Sequence, residues 1–245
     1  QHFFHETPAF FALSYLKLYL DYYYPLGGTG KVIERMVAFI ESHHGMISTN
    51  TEIVAIDTDK QLVTDARGVT HGYRRLIWAA DQKALYRFID PDRIADPRVK
   101  SAVAIRRALI DDKTGNDSVF TLFLALDLDK SYFASKASEH FFYTPVRTGQ
   151  TAAGPIPSDG DRGTIVNWLE KFFALTTYEI SCPVMRDSSL APQGKTGLIV
   201  SVLFDYRLTK HIQETGWYED FKIFCETCII NTLDASIYPG IKDAI

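Results

Sequence analysis

The chain has little cysteine, no long apolar run and no surplus of positive charge. Three cysteines, Cys182, Cys225 and Cys228, are too few and too odd in number for a disulfide framework. They point to a reducing compartment, and the expected location is cytoplasmic. No stretch approaches the roughly 20 apolar residues that a membrane-spanning helix needs. The nearest, residues 8–20, is shorter and carries Lys17. No signal-peptide pattern is present. A net charge of −4 excludes a general nucleic-acid surface, so no nucleic-acid partner is expected. Repeats and low-complexity tracts are absent, as are a G-x-S-x-G elbow and an H-E-x-x-H pair. The chain begins at Gln1 and stops shortly after Pro239-Gly240-Ile241, which is expected of a piece of a longer protein.

What is present suits a sizeable core. The 245 residues are 46% hydrophobic and 13% aromatic, with 13 tyrosines and 16 phenylalanines. Thr7-Pro8 starts an expected helix running to residue 20. Tyr24-Pro25-Leu26-Gly27-Gly28-Thr29-Gly30-Lys31 reads as a tight glycine turn feeding an amphipathic helix, with Ile33, Met36, Val37 and Ile40 on one face. Gly45 ends it. Strands are expected at 46–49 and 52–57, then a hairpin turning near 65–68 and a buried strand at 76–79. Asp81 caps a short helix to residue 88. Asp96-Pro97 starts another running to about 109, and 113–117 is a polar turn. Strands are expected at 119–126, 141–145, 176–184 and 198–206, and a long amphipathic helix at 217–233. Residues 148–163 are loop-like, and 164–173 fits helix or strand. Strands and helices are mixed without strict alternation, which predicts an α+β (mixed α/β) class with a mixed sheet packed by helices.

The glycine turn invites two nucleotide-binding readings, and both fail. A phosphate-binding P-loop needs G-x-x-x-x-G-K followed by Ser or Thr. Here Val32 follows Gly30-Lys31, and Pro25 stands where the first glycine belongs. The dinucleotide fingerprint G-x-G-x-x-G is matched by Gly28 and Gly30 but not by Ile33. What remains is a turn that opens a helix and lets backbone approach something closely. Other candidates are weaker. Cys225-x-x-Cys228 lies mid-helix and lacks a second ligand pair, so a structural role is expected and no metal site. His43-His44 sits where a helix C-terminus favours cationic groups. Asp111-Asp112 and Asp127-x-Asp129 read as solvated loop carboxylates. No catalytic residue is identified.

Two separated stretches carry a resemblance. One is Tyr24-Pro25-Leu26-Gly27-Gly28, its helix, His44-Gly45-Met46-Ile47, Thr51-Glu52-Ile53-Val54-Ala55-Ile56 and Leu76-Ile77-Trp78-Ala79-Ala80-Asp81. The other is Tyr178 to Pro183 followed by Asp187-Ser188-Ser189-Leu190-Ala191-Pro192-Gln193-Gly194-Lys195. Together they resemble the middle of phytoene desaturase-like flavoproteins, the group of carotenoid desaturases, isomerases and retinol saturase. The resemblance implies an internal fragment of an FAD-dependent oxidoreductase that moves hydride between flavin and a carbon–carbon bond of a long apolar substrate. It implies that residues 25–90 are part of an FAD-binding domain lacking its N-terminal βαβ unit, with 1–24 and 91–245 a substrate domain. It further implies that Val54 gives backbone contacts to the adenine end of FAD, that Ala79 and Ala80 lie where a strand passes the cofactor, and that Gly27 and Gly28 lie near the flavin–substrate junction. An apolar small-molecule partner, peripheral membrane contact and a homodimer are further expectations. An amine-oxidase-like flavoprotein and a non-catalytic lipid- or partner-binding module are the alternatives.

Because the pyrophosphate-binding glycine loop of such proteins has no counterpart in this sequence, the purified 245-residue chain should be colourless. Absorbance spectroscopy checks this, and a stoichiometric flavin spectrum would overturn it.

Overall fold

A computed structural model describes residues 23–113 and 117–245. The expected helix at 8–20 and most of the polar turn at 113–117 lie outside the described residues. The described chain divides into two compact units, residues 23–36 with 117–245 and residues 37–113.

Helix α1 (Gly30–Ser42) begins in the first unit and ends in the second. Its apolar stripe is present as expected. The helix buries no residue, however, and Ile33, Met36 and Ile40 are exposed.

The second unit is built on a three-stranded antiparallel meander of β1 (Ile53–Asp57), β2 (Leu62–Asp65) and β3 (Thr70–Gly72). Helices α2 (Gln82–Phe88) and α3 (Pro97–Asp111) follow. Each is capped as the sequence indicates. Asp81 accepts from the Lys83 and Ala84 amides, and Asp96 accepts from the Arg98 amide with Pro97 at the first helical position. A small core of Ile56, Val63, Ile89 and Ile94 holds the unit together. Two expected strands are corrected. Residues 46–49 form no strand, and residues 76–79 are irregular, with Ile77 90% exposed and only Trp78 packed against the small core. The apolar run Leu76-Ile77-Trp78 has no strand partner among the described residues, and without a ladder an apolar sequence cannot hold strand geometry.

Asp65 fixes the β2–β3 turn. Its carboxylate accepts from the Arg67 and Val69 amides at 2.9 Å each and from the Arg67 guanidinium at 3.1 Å. Burial pushes this acid up. The Val69 amide, the Arg67 side chain and amide and His71 outweigh that and hold it at about 2.

The first unit carries a four-stranded sheet in the order β4-β7-β6-β5, with β4 Asp117–Leu126, β5 His140–Tyr143, β6 Tyr178–Ser181 and β7 Thr196–Asp205. The class is α+β, as expected. Both sheets are antiparallel throughout, a stricter arrangement than a mixed sheet. Among the described residues, four helices lie wholly in this unit: α4 (Lys130–Ala134), α5 (Arg162–Leu175), α6 (Tyr206–Glu214) and α7 (Tyr218–Asp234). The stretch at 164–173 that fitted helix or strand is helix, because Ile165, Trp168, Leu169, Phe172 and Phe173 recur at helical spacing and are all buried. Helix α6 replaces part of a stretch with no expected element. Asp205 ends β7 and caps α6 in the same step, its Oδ1 accepting from the Leu208 amide at 2.8 Å.

The core lies between α5, α6, α7 and one face of this sheet. Leu198, Val200, Val202 and Phe204 alternate inward along β7, and Leu124 and Leu126 do so along β4. Aromatic rings tile the interior. Trp168 stacks on Phe172 at 4.9 Å between centroids, Phe172 meets Phe204 edge-on at 5.5 Å, and Phe204 reaches Phe221 at 5.5 Å. The chain's C-terminal end is tied in, since the Asp127 amide donates to the Ala244 carbonyl at 2.7 Å and Ile241 is fully buried.

Phe172→Ala should destabilise the first unit by about 3–5 kcal/mol, measured by denaturant unfolding, because it opens a cavity at the centre of this ring cluster. In the second unit, the stabilisation from Asp65 should be fully present above the ordinary value of 3.8 and be lost as pH falls through about 2. Asp65→Asn should flatten acid unfolding over that window, as followed by circular dichroism.

Candidate functional site

The 24–28 turn is pinned from 160 residues away. The Gly27 amide donates to Asp187 Oδ2 at 2.5 Å. Gly27 and Gly28 have φ of 85° and 88°, a backbone region that side chains disfavour. The positive φ, rather than space, is what demands glycine, since the nearest neighbours are a flexible lysine chain and an ordinary contact. A Cβ on Gly27 would lie 2.8 Å from Lys31 Cε, and one on Gly28 would lie 3.4 Å from Leu190 Cδ2. The turn closes on itself through the Gly28 amide and the Pro25 carbonyl at 3.0 Å.

Asp187 is nearly buried and is held on both oxygens. Its Oδ1 accepts from the Ser189 amide at 3.0 Å and the Ser189 hydroxyl at 2.7 Å. The Gly27 amide, then the Ser189 hydroxyl and amide, hold this carboxyl below the ordinary aspartate range. Beside it, the Arg186 guanidinium lies 6.0 Å from the Tyr24 ring centre and its Nε lies 3.4 Å from Glu139 Oε1. This explains why the turn is no phosphate cradle. The Gly27 amide already binds an anion, and that anion is the protein's own carboxylate.

The turn borders an apolar cleft of about 400 Å³ lined by Tyr24, Phe123, Pro183, Val184, Leu190 and Ile199 among others. A second hollow of about 610 Å³ shares Leu124, Ala125, Leu190 and Gly197 with it and extends to Lys195 and Ile245. The first opens on the sheet face opposite the core, and the second runs past the β4–β7 strand ends toward residues 243–245. Strand alternation places Val119, Thr121, Phe123 and Ala125 of β4 on that face, opposite Leu203, Ser201, Ile199 and Gly197 of β7. Phe123 is 72% exposed. The small Ala125–Gly197 pair leaves the floor low at one end.

The same face holds a polar pair that the sequence reading missed. His140 Nε2 lies 2.9 Å from Glu179 Oε1, across β5 and β6. Period-two alternation was the available signal, since His140 and Phe142 share one face of β5, and Glu179 and Ser181 the matching face of β6.

Of the residues singled out from the sequence, Gly27 and Gly28 come together in this turn. Val54, Ala79 and Ala80 belong to the second unit. Val54 is mid-β1 and 40% exposed, and Ala79 and Ala80 are exposed in the irregular stretch before Asp81. The other candidates make local contacts. Cys225 and Cys228 lie within α7, where burial pushes both thiols up, that of Cys228 to about 11. His43 Nδ1 lies 2.8 Å from the Phe39 carbonyl at the end of α1. Asp127 pairs with Lys195 at 2.6 Å, and Asp129 caps α4. Among the described residues, no three His, Cys, Asp or Glu side chains converge to hold a metal, and no helix is long and apolar enough to cross a membrane.

No family model and no curated protein matches the chain. Solved structures do. Reduced UDP-galactopyranose mutase is similar over 86% of this chain and 36% of its own length, at 17% identity and a TM-score of 0.52. A protein from Pyrococcus furiosus is similar over 81% of this chain and 40% of its own, at 18% identity and a TM-score of 0.45. The likeness to the mutase is one of fold. The chain spans well under half the length of either structure.

Asp187→Ala should free the glycine turn, raising amide exchange at Gly27 by about tenfold or more and lowering the melting temperature. Asp187→Asn, which keeps an acceptor, should do less. With its folded value lowered from 3.8, Asp187 contributes stability that is complete above pH 3.8 and is lost as pH falls through the lowered value. Thermal melts from pH 6 to about 2 check the sign. A wild type and an Asp187→Ala variant with the same acid dependence would exclude this role.

Proposed function

We propose that this chain supplies the substrate-binding part, and a strip of cofactor-facing backbone, of an FAD-dependent oxidoreductase acting on a long apolar substrate. The observation that carries the reading is the apolar cleft between the pinned 24–28 turn and the outer face of the β4-β7-β6-β5 sheet. The fold likeness to UDP-galactopyranose mutase, a flavoenzyme in its reduced state, supports the flavoprotein part at a coarse level. The resemblance of the two sequence stretches to phytoene desaturase-like proteins supports an isoprenoid-like substrate and a carbon–carbon bond as its reacting group.

By the resemblance, Val54, Ala79 and Ala80 would border part of FAD, and the 24–28 turn would not hold its pyrophosphate. Val54 is half open on its strand, and the small exposed Ala79 and Ala80 leave backbone free to border a flat ring system. The pyrophosphate finds no place in the 24–28 turn, whose amides bond Asp187 and Pro25. A bound flavin would supply hydride acceptance or donation. The chain's own residues would do the rest. Phe123, Ile199, Leu190 and Val184 would hold an apolar chain and exclude water from it. Asp187, by fixing Gly27, would set one wall of the cleft. No proton-transferring residue is required of the cleft in this scheme.

The complete reading frame that contains this chain tests the proposal. Its product is expected to carry about one FAD per chain, bleached by dithionite, with a G-x-G-x-x-G strand–helix unit encoded before Gln1. Phe123→Asp in that protein should raise KM for an apolar substrate by about tenfold or more while leaving flavin absorbance unchanged. A folded product with neither flavin nor fingerprint would overturn the reading in favour of a binding module.

A further inference from the structure

The outer face of the four-stranded sheet is not uniformly apolar. A polar line crosses it from edge to edge. Thr121 Oγ1 on β4 lies 3.0 Å from Ser201 Oγ on β7. Ser201 stands opposite Glu179 on β6 in the strand register. Glu179 Oε1 lies 2.9 Å from His140 Nε2 on β5, and His140 stands opposite Ser181. Apolar side chains flank the line on both sides. Phe123 and Ile199 are paired on one side, and Val119 and Leu203 on the other. Phe142 stands opposite Glu179 and is 49% exposed.

Glu179 is the feature that a purely hydrocarbon ligand would not satisfy. His140 engages one carboxylate oxygen. The other, Oε2, accepts no hydrogen bond from any described residue, and the side chain is 39% exposed. With the side chain partly exposed, solvent water reaches that oxygen. A ligand laid across the face displaces that water. If the ligand carries no donor, a carboxylate oxygen is covered without a partner, and binding weakens accordingly. If it carries a hydroxyl or an amine at that point, the lost water is replaced. The hydroxyls of Thr121, Ser201 and Ser181 extend the same choice, since each can accept as well as donate.

We propose that this face takes an apolar ligand bearing one hydrogen-bond donor, an alcohol or an amine, whose donor group meets Glu179 while its chain lies along Phe123 and Ile199. The inference rests on the reading of this cleft as an apolar-ligand site and adds the polar group that the ligand must carry.

Three probes of the same carbon skeleton separate the cases: farnesol, farnesylamine and farnesene. Each is titrated against the 245-residue chain preloaded with a polarity-sensitive apolar dye, and displacement is read by fluorescence. The alcohol and the amine are expected to displace the dye at concentrations about tenfold below the hydrocarbon. Glu179→Ala should bring all three within about twofold of one another. Should that variant fail to fold, Glu179→Gln keeps the shape and an acceptor but removes the charge. It should cost the amine most of its advantage and leave that of the alcohol. An advantage confined to the amine supports a cationic donor, and one shared by both supports a neutral hydrogen bond. Equal displacement by all three probes would overturn the inference and leave the apolar-ligand reading standing. No displacement by any of them would overturn both.

Discussion

One hydrogen bond organises the candidate site: the Gly27 amide to the Asp187 carboxylate, spanning 160 residues of sequence. It joins the glycine turn to the loop between β6 and β7, and its geometry demands glycine on one side. With φ of 85° and 88°, Gly27 and Gly28 hold backbone in a region where an L side chain would strain. On the other side the carboxylate must stay charged, and the Ser189 hydroxyl and amide help keep it so. A buried carboxylate bonded to backbone amides is a common way to close such a turn, because it satisfies donors that would otherwise face no water. The result is one firm wall beside the apolar cleft.

The sheet of the first unit has two faces with opposite duties. The inner face is closed by α5, α6 and α7 over rings of Trp168, Phe172, Phe204 and Phe221. The outer face carries Phe123, Ile199, Val119 and Leu203 in register and leaves them partly open. Antiparallel sheets often place one face in water, and that face is then usually polar. Here it is largely apolar with a single polar line through it, which suits a surface built to be covered by a ligand. Strong packing behind the sheet and openness in front of it are complementary, because a rigid floor holds a cleft in shape without ligand.

The second unit is held by a much smaller core, four buried residues against the many of the first. The order of its elements was legible from local signals: Asp81 and Asp96 as caps, Pro97 at a helix start and the turn at 65–68. Its missing strand at 76–79 was not. Leu76-Ile77-Trp78 has the composition of a buried strand, and composition says nothing about whether a partner strand is there to pair with it. The same holds for α1, whose apolar stripe at Ile33, Met36 and Ile40 reads as a core face yet is exposed.

Residue identity alone determined the α+β class, the caps, the glycine turn and the exclusion of P-loop and dinucleotide readings, because these follow from local sterics and from which side chains can bond which amides. It also placed Cys225 and Cys228 within a helix, where both lie. Tertiary structure alone decided three things. It showed that the anion bound by the turn is Asp187, that His140 and Glu179 meet, and that β4 and β7 pair so as to bring Phe123 beside Ile199 and Ala125 beside Gly197. The first depends on a contact between a turn and a loop 160 residues apart, and the other two on strand register between segments far apart in the chain. A shift of one residue would turn the strand side chains among these to the other face, and no local pattern encodes that choice.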